Sequence, residues 1–234
     1  MPRFFAALVR HGDYHQLAGA PSAHQPFPLN TDGEGHARGA GRLLLDFCAE
    51  RECLLHPEID SSRMQRAWQT ALLIAQQAAA AGIADLQVAE FDALAERGVG
   101  CAANLTASQI EDILHRDARF EDPPPNWKAD SHYRLPLQGA ESLLEAGERV
   151  AAHLQQRMAQ LNSVGQASCL KVFVGHGAAF RHAAYHLGVM AFEQIARLSM
   201  YHGQPIFLGY RADGSWQHLA GNWKVRKAAS EYRD

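Results

Sequence analysis

Residues 4–12 read Phe-Phe-Ala-Ala-Leu-Val-Arg-His-Gly. Six apolar residues in a row suit a β-strand buried on both faces. The run then stops at a cation, an imidazole and a glycine, which contribute little to a core. A buried strand over residues 4–9 is therefore expected, with chemistry at its carboxyl end. The pattern recurs late in the chain. Residues 170–177 read Leu-Lys-Val-Phe-Val-Gly-His-Gly, a second apolar run that ends in His-Gly and leads into a helical pattern.

Working outward, the remaining segments alternate in period. Residues 13–30 carry Gly, Pro and polar side chains and read as loop. Asp32 is placed to cap a helix over 33–49, where Ala37, Ala40, Leu44, Leu45 and Cys48 keep helical spacing. A short second strand is expected over 58–61. A helix over 64–80 presents Ala67, Ala71, Leu72, Ile74 and Ala75 on one face, and residues 86–89 read as a third strand. From 95 to 140 the pattern breaks down around Gly98, Gly100 and Pro123-Pro124-Pro125, with one helical stretch over 107–115. A segment of this length is read as a lid-like insertion. A helix over 141–161, a strand over 170–174 and a helix over 180–187 follow. Arg211-Ala212-Asp213-Gly214 reads as the turn of a hairpin between 204–210 and 216–220. Alternating strands and helices predict an α/β fold, a three-layer α/β/α sandwich around a mostly parallel sheet, with an antiparallel strand near the C-terminus.

The chain has 234 residues, 47% of them hydrophobic, which suits one large domain over 1–234 with the insertion at about 95–140. The net charge of −3 and the absence of a basic stripe argue against a nucleic-acid partner. No apolar run approaches the roughly 20 residues of a membrane span. The opening strand leaves no room for a signal peptide, so a cytoplasmic protein is expected. Cys48, Cys53, Cys101 and Cys169 follow no metal or redox spacing and read as reduced thiols.

In parallel sheets, ligands bind outside the carboxyl ends of the strands. His11 and His176 both belong there, each followed by a glycine. Gly12 and Gly177 would let backbone N–H groups approach a bound group, and the helix after Gly177 would offer unpaired donors to an anion. Arg10 adds a planar cation suited to phosphate. Arg66, in Asp60-Ser-Ser-Arg-Met-Gln-Arg66, starts the helix after the second strand. Glu96 closes the third strand region. Two arginines, two histidines and one carboxylate at one sheet edge can neutralise a phosphate dianion and supply an acid. Nearby alternatives are Arg63 for Arg66, and Glu90 or Asp92 for Glu96. Ser62 reads as a helix cap. His182 and His186 have the i, i+4 spacing of zinc ligands but lack a third ligand nearby, so they read as a helix face.

The stretches LVRHG (8–12), SSRMQRAWQT (61–70), LAERGVG (94–100) and VFVGHG (172–177) together resemble the histidine phosphatase superfamily, the phosphoglycerate mutase-like proteins. The softer PLNTDGEGHARGAGRLL (28–44) is similar to that family's first helix. The resemblance runs from residue 4 to about 214. It implies that His11 is a nucleophile forming a phosphohistidine, that Arg10, Arg66 and His176 hold the phosphoryl oxygens, and that Glu96 moves the proton. Gly12, Arg97 and Gly177 join the substrate-binding set. No metal or cofactor is implied, because arginines supply the positive charge. Surrounding guanidinium groups are expected to keep the His11 imidazole neutral.

The reaction expected is phosphate release from a small phosphorylated metabolite. A phosphoglycerate-type mutase, a phosphoprotein phosphatase and a non-catalytic phospholigand-binding module are the alternatives. The mutase reading is weakened because Arg116 and Arg119 are separated where such mutases carry an adjacent pair. The C-terminal part resembles a protein phosphatase branch of the family, but His202-Gly203-Gln204 stands where that branch has Asn-Gly-Ser. Arg116, Arg119, Lys128 and Arg134 read mostly as solvated charges, and Trp127 and Tyr133 as pocket lining or packing alike. The 204–220 hairpin offers an edge for a possible homodimer.

Overall fold

The computed structural model describes residues 3–21, 24–83, 86–163 and 167–226. Its elements in chain order are β1 (Phe4–Arg10), α1 (Thr31–Arg51), β2 (Leu54–Ser62), α2 (Gln65–Ala80), β3 (Gln87–Phe91), α3 (Ala107–Arg116), α4 (Leu143–Ser163), β4 (Cys169–Gly175), α5 (Gly177–His186), α6 (Phe192–Ile195), β5 (Leu198–Ser199), β6 (Ile206–Tyr210), β7 (Trp216–Ala220) and β8 (Lys224–Val225). Six strands form one sheet in the order β3-β2-β4-β1-β6-β7, and β5 pairs with β8 separately. The first four run parallel, and β6 runs antiparallel to both β1 and β7.

Every residue of β1 and β4 is buried, as the unbroken apolar runs require. Alternate side chains serve opposite faces. Phe4, Ala6, Leu8 and Phe173 pack with Val150, Leu154, Met158 and Phe180 of α4 and α5 on one face. Phe5, Ala7, Val9, Val172 and Val174 pack with Leu44, Phe47, Ala71 and Ile74 of α1 and α2 on the other. At about 1.5–3 kcal/mol for each large apolar side chain buried, these two layers supply most of the driving force.

Register carries the function. Phe4 pairs with Cys169 and Arg10 with Gly175, so β1 and β4 end level. On the far side of β4, Ser61 pairs with Val174, and Ser62 pairs with Phe91 of β3. Four strand ends therefore meet along one line.

Three expectations are corrected. The N-cap of α1 is Asn30, whose side chain accepts from the Gly33 N–H at 2.8 Å; Asp32 lies in the first turn. β2 begins at Leu54, because the sheet accommodates Pro57 with a register shift between Leu55 and Ile59. Residues 95–140 are better ordered than an irregular loop, with a core of their own formed by Val99, Ile110, Leu114, Trp127 and Leu135. α3 is held there by a capping box between Thr106 and Gln109.

Candidate active site

His11 and His176 follow the level ends of β1 and β4. The His11 N–H donates to the Gly175 carbonyl at 3.0 Å, and the two rings lie 5.1 Å apart, centroid to centroid. Arg66, in the first turn of α2, reaches between them. Its Nε donates to His11 Nε2 at 3.0 Å and its guanidinium bonds His176 Nδ1 at 3.2 Å. It also donates to the Gln25 carbonyl at 3.0 Å and lies over the Tyr14 ring at 4.5 Å.

These bonds assign the tautomers. A guanidinium only donates and a carbonyl only accepts. His11 Nδ1, 2.7 Å from the Gly12 carbonyl, must carry the hydrogen, which leaves a lone pair on Nε2. His176 accepts from Arg66 at Nδ1, so its Nε2–H donates to Ser62 Oγ at 3.0 Å. Both imidazoles are neutral by environment. Their residues are 2% and 0% exposed, and burial is the first cause holding each pKa well below 6.5. The Arg66 charge comes second for both, so guanidinium repulsion assists burial rather than leading it.

Arg10 donates to the Met200 carbonyl at 2.9 Å, and its side chain crosses Gly177. A Cβ on Gly177 would come within 3.1 Å of Arg10 Cδ, so this glycine makes room for the arginine. Gly12 is also explained by the protein rather than by a ligand. Its N–H donates to Thr70 Oγ1 at 3.0 Å, and a Cβ would stand 2.2 Å from the Gly33 carbonyl oxygen. At Gly12 the N–H is thus taken by Thr70, and at both positions the missing side chain permits close packing.

Glu96 occupies the helix end expected to take an anion. Its Oε1 accepts from the N–H groups of Arg97 at 2.9 Å and Ala179 at 3.1 Å, and Oε2 from Ala178 at 3.3 Å. The carboxylate itself answers the positive end of α5. Arg149 of α4 fixes the approach by donating to the carbonyls of Ala93 and Ala95 and to Glu141. The alternatives Glu90 and Asp92 turn outward to Arg63, which is not in the pocket. Arg97 is buried, with its guanidinium 5.9 Å from the Trp127 ring.

Side chains to which the sequence reading gave no role in the site complete the cluster. Ser62 accepts from the Met64 N–H at 3.3 Å, but α2 has no side-chain N-cap, so the hydroxyl serves instead to orient His176. Thr70 holds Gly12 and back-bonds to the Arg66 carbonyl at 2.8 Å. Tyr14 meets His11 edge-on at 5.4 Å, and His202 stacks on it at 5.6 Å. The serine and threonine share the Ser61–Thr70 stretch with Arg66, which was the available signal. His202 had none beyond its departure from Asn. Within the insertion, Arg116, Arg119 and Arg134 pair with Asp112, Asp117 and Glu145 on the exposed surface. Trp127 is buried and donates to Glu111, which decides for packing over pocket lining. His182 bonds the Ala178 carbonyl and Ser131, and His186 the Leu144 carbonyl. Among the described residues, no group of three or more His, Cys, Asp or Glu is arranged to hold a metal, and no helix is long and apolar enough to cross a membrane.

A level row of parallel strand ends carrying paired neutral imidazoles and buried arginines defines a phosphoryl-handling α/β protein. The profile of the histidine phosphatase superfamily (branch 1) matches residues 6–223, and the chain belongs to that family. Its enzyme class is that of the phosphoric monoester hydrolases. No curated protein sequence matches the chain. Among solved structures, a mycobacterial glucosyl-3-phosphoglycerate phosphatase in its native form superposes with a TM-score of 0.65 at 21% identity, covering 97% of this chain and 99% of its own. A phosphoserine phosphatase from Entamoeba histolytica, in complex with 3-phosphoglyceric acid, superposes with a TM-score of 0.64 at 17% identity, covering 94% and 96%.

Proposed function

We propose that the protein is a metal-independent phosphomonoesterase that releases phosphate from a small phosphorylated metabolite through a phosphohistidine on His11. The supporting observation is the lone pair on His11 Nε2, held by the Nδ1 bond to the Gly12 carbonyl and facing the Arg66 guanidinium. In the first step Nε2 attacks phosphorus and the P–O bond to the leaving alkoxide breaks. Arg10 and Arg66 stabilise the equatorial oxygens, and His176, which accepts from Arg66 and is oriented by Ser62, holds that guanidinium in place; positioning and charge do most of the work in such transfers. Glu96 Oε2 holds one backbone bond against two on Oε1, so Oε2 is the oxygen suited to give a proton to the leaving group. In the second step water attacks phosphorus, Glu96 takes its proton, and the N–P electron pair returns to Nε2. Splitting one displacement into two lowers each barrier.

Residues 95–140 serve as a lid, with Arg97 at its base and Ser131 tied to His182. The surface pairing of Arg116 and Arg119 leaves a mutase without the cation pair it would use on a second phosphate. Small-metabolite names among the structural neighbours favour that substrate size over a phosphoprotein. The cysteines are free, in line with a reducing cytoplasm. The test is hydrolysis of para-nitrophenyl phosphate in EDTA, followed by a metabolite panel. Turnover should survive chelation and vanish in His11→Ala. Turnover restored only by added metal contradicts the proposal, and conversion of 3-phosphoglycerate to 2-phosphoglycerate with trace diphosphoglycerate would favour the mutase.

A further inference from the structure

His202 is unaccounted for by the chemistry above, yet its ring is part of the pocket. It stacks on His11 at 5.6 Å with an interplanar angle of 28°. The backbone aims it there. Gly203 has a φ of +64°, donates its N–H to the Arg10 carbonyl at 2.9 Å, and leaves no space for a Cβ against the His36 carbonyl oxygen, 2.3 Å away. His202 Nδ1 faces the Asp13 carboxylate at 3.8 Å. His11 Nδ1 faces the adjoining Gly12 carbonyl. The stacking keeps the His202 ring beside that of His11, with its Nδ1 turned to Asp13. His202 Nε2 is buried without a hydrogen-bond partner. A polar atom left in that state is unfavourable and gains from any ligand that offers it a partner.

We propose that His202 is a third imidazole of the phosphoryl pocket: when a tetrahedral dianion enters, Nε2 takes up a proton from solvent and, keeping it, the imidazolium N–H hydrogen-bonds a non-bridging oxygen, while Asp13 faces the other nitrogen. This rests on the reading of His11 as the group that meets phosphorus. The proton returns to solvent when phosphate leaves, so no other reactant is needed. The groups around the ring are Arg10 and His11 at the end of β1, Asp13 in the next loop, His36 of α1 and Lys224 of β8. In the free protein, burial first and Arg10 second hold the imidazole neutral, with its pKa pushed down to about 3. A bound dianion reverses the sign of the local field.

Tungstate is a suitable probe because it stays a dianion at neutral pH and cannot be hydrolysed. Calorimetry near pH 7 in buffers of different ionisation enthalpy reads both affinity and proton uptake. The wild type should take up about one proton more than His202→Phe, and the variant should bind roughly tenfold more weakly, as expected for one charge-assisted hydrogen bond. His202→Asn should recover part of the affinity but none of the extra uptake. Equal affinity and equal uptake in wild type and His202→Phe overturn the proposal. If the phenylalanine variant does not fold, nitrogen NMR of the wild type decides. The His202 ring should become imidazolium on adding tungstate, and a ring that stays neutral refutes the role. Binding and turnover separate the two readings: loss of the tungstate effect with His11→Ala still inactive removes only His202, whereas an active His11→Ala removes the nucleophile.

Discussion

At the scale of single residues, the site works by keeping imidazoles neutral where water would let them charge. A histidine whose folded pKa is depressed gains no proton as pH falls through 6.5. The nucleophilic form of His11 is therefore present at neutral and mildly acidic pH alike. We expect the nitrogen NMR signal of His11 to show no protonation between about pH 7 and 5.5, and an imidazolium near pH 6.5 contradicts the assignment. Ser62→Ala removes the acceptor of the His176 Nε2–H. Its expected effect is a fall in kcat of about ten- to a hundredfold, with a smaller change in KM, because a mis-set His176 would matter most at the transition state. Arg10, His11 and His176 were legible because each stands at the end of an apolar strand run, whereas Arg66 and Glu96 were chosen among neighbouring alternatives by the motifs that hold them. His202 and Tyr14 were not legible, because their approach to His11 depends on loop paths that no local pattern encodes.

At the scale of elements, two contacts hold the strand ends level. One is the crossing of α4 and α5, where Gly147 lies so close that a Cβ would stand 2.3 Å from that of His182. Gly147→Ala should push the helices apart, cost about 1–3 kcal/mol in urea denaturation, and lower activity by displacing the start of α5. The other is a charge cluster on β2, β4 and α4. Asp60 accepts from His153 and Arg157, each at 2.9 Å, and pairs with buried Lys171 at 2.5 Å. Asp60→Asn leaves that ammonium without its buried countercharge and should cost about 3–5 kcal/mol; adding Lys171→Met should recover much of the loss. Unchanged stability in the single variant would show that the cluster is solvated. A lysine in the middle of LKVFV reads as an error in a strand until its partners on other elements are known. This is why β4 was legible and its charge network was not. β2 was legible only over 58–61, because its first residues, before the register shift between Leu55 and Ile59, lack a clear strand period.

At the scale of the whole molecule, the sandwich and the antiparallel return strand followed from alternating periods, while the order of strands in the sheet and the internal core of residues 95–140 did not. That core is assembled from short segments around Trp127, each too weakly periodic to signal burial alone. Global stability should carry the imprint of the buried histidines. His11, His176, His182 and His202 all have depressed pKa values, so the unfolded chain binds protons that the folded chain refuses. Stability should thus be constant above the unfolded value of about 6.5 and fall below it, with a limiting slope of about 1.4 kcal/mol per pH unit for each histidine. Asp60, held at about 2, adds a second loss as pH falls through the carboxylate range. Urea midpoints between pH 8 and 2 check both windows, and a flat profile contradicts them. The fold's purpose, on this account, is to present a single nitrogen to phosphorus, and the intact mass of the protein reports on it directly. Quenched within its first turnovers on a phosphorylated substrate, with chelator present, the wild type should gain one phosphoryl group, mapped to Nε2 of residue 11. Normal turnover with no such adduct, or with the adduct on another residue, would contradict the account.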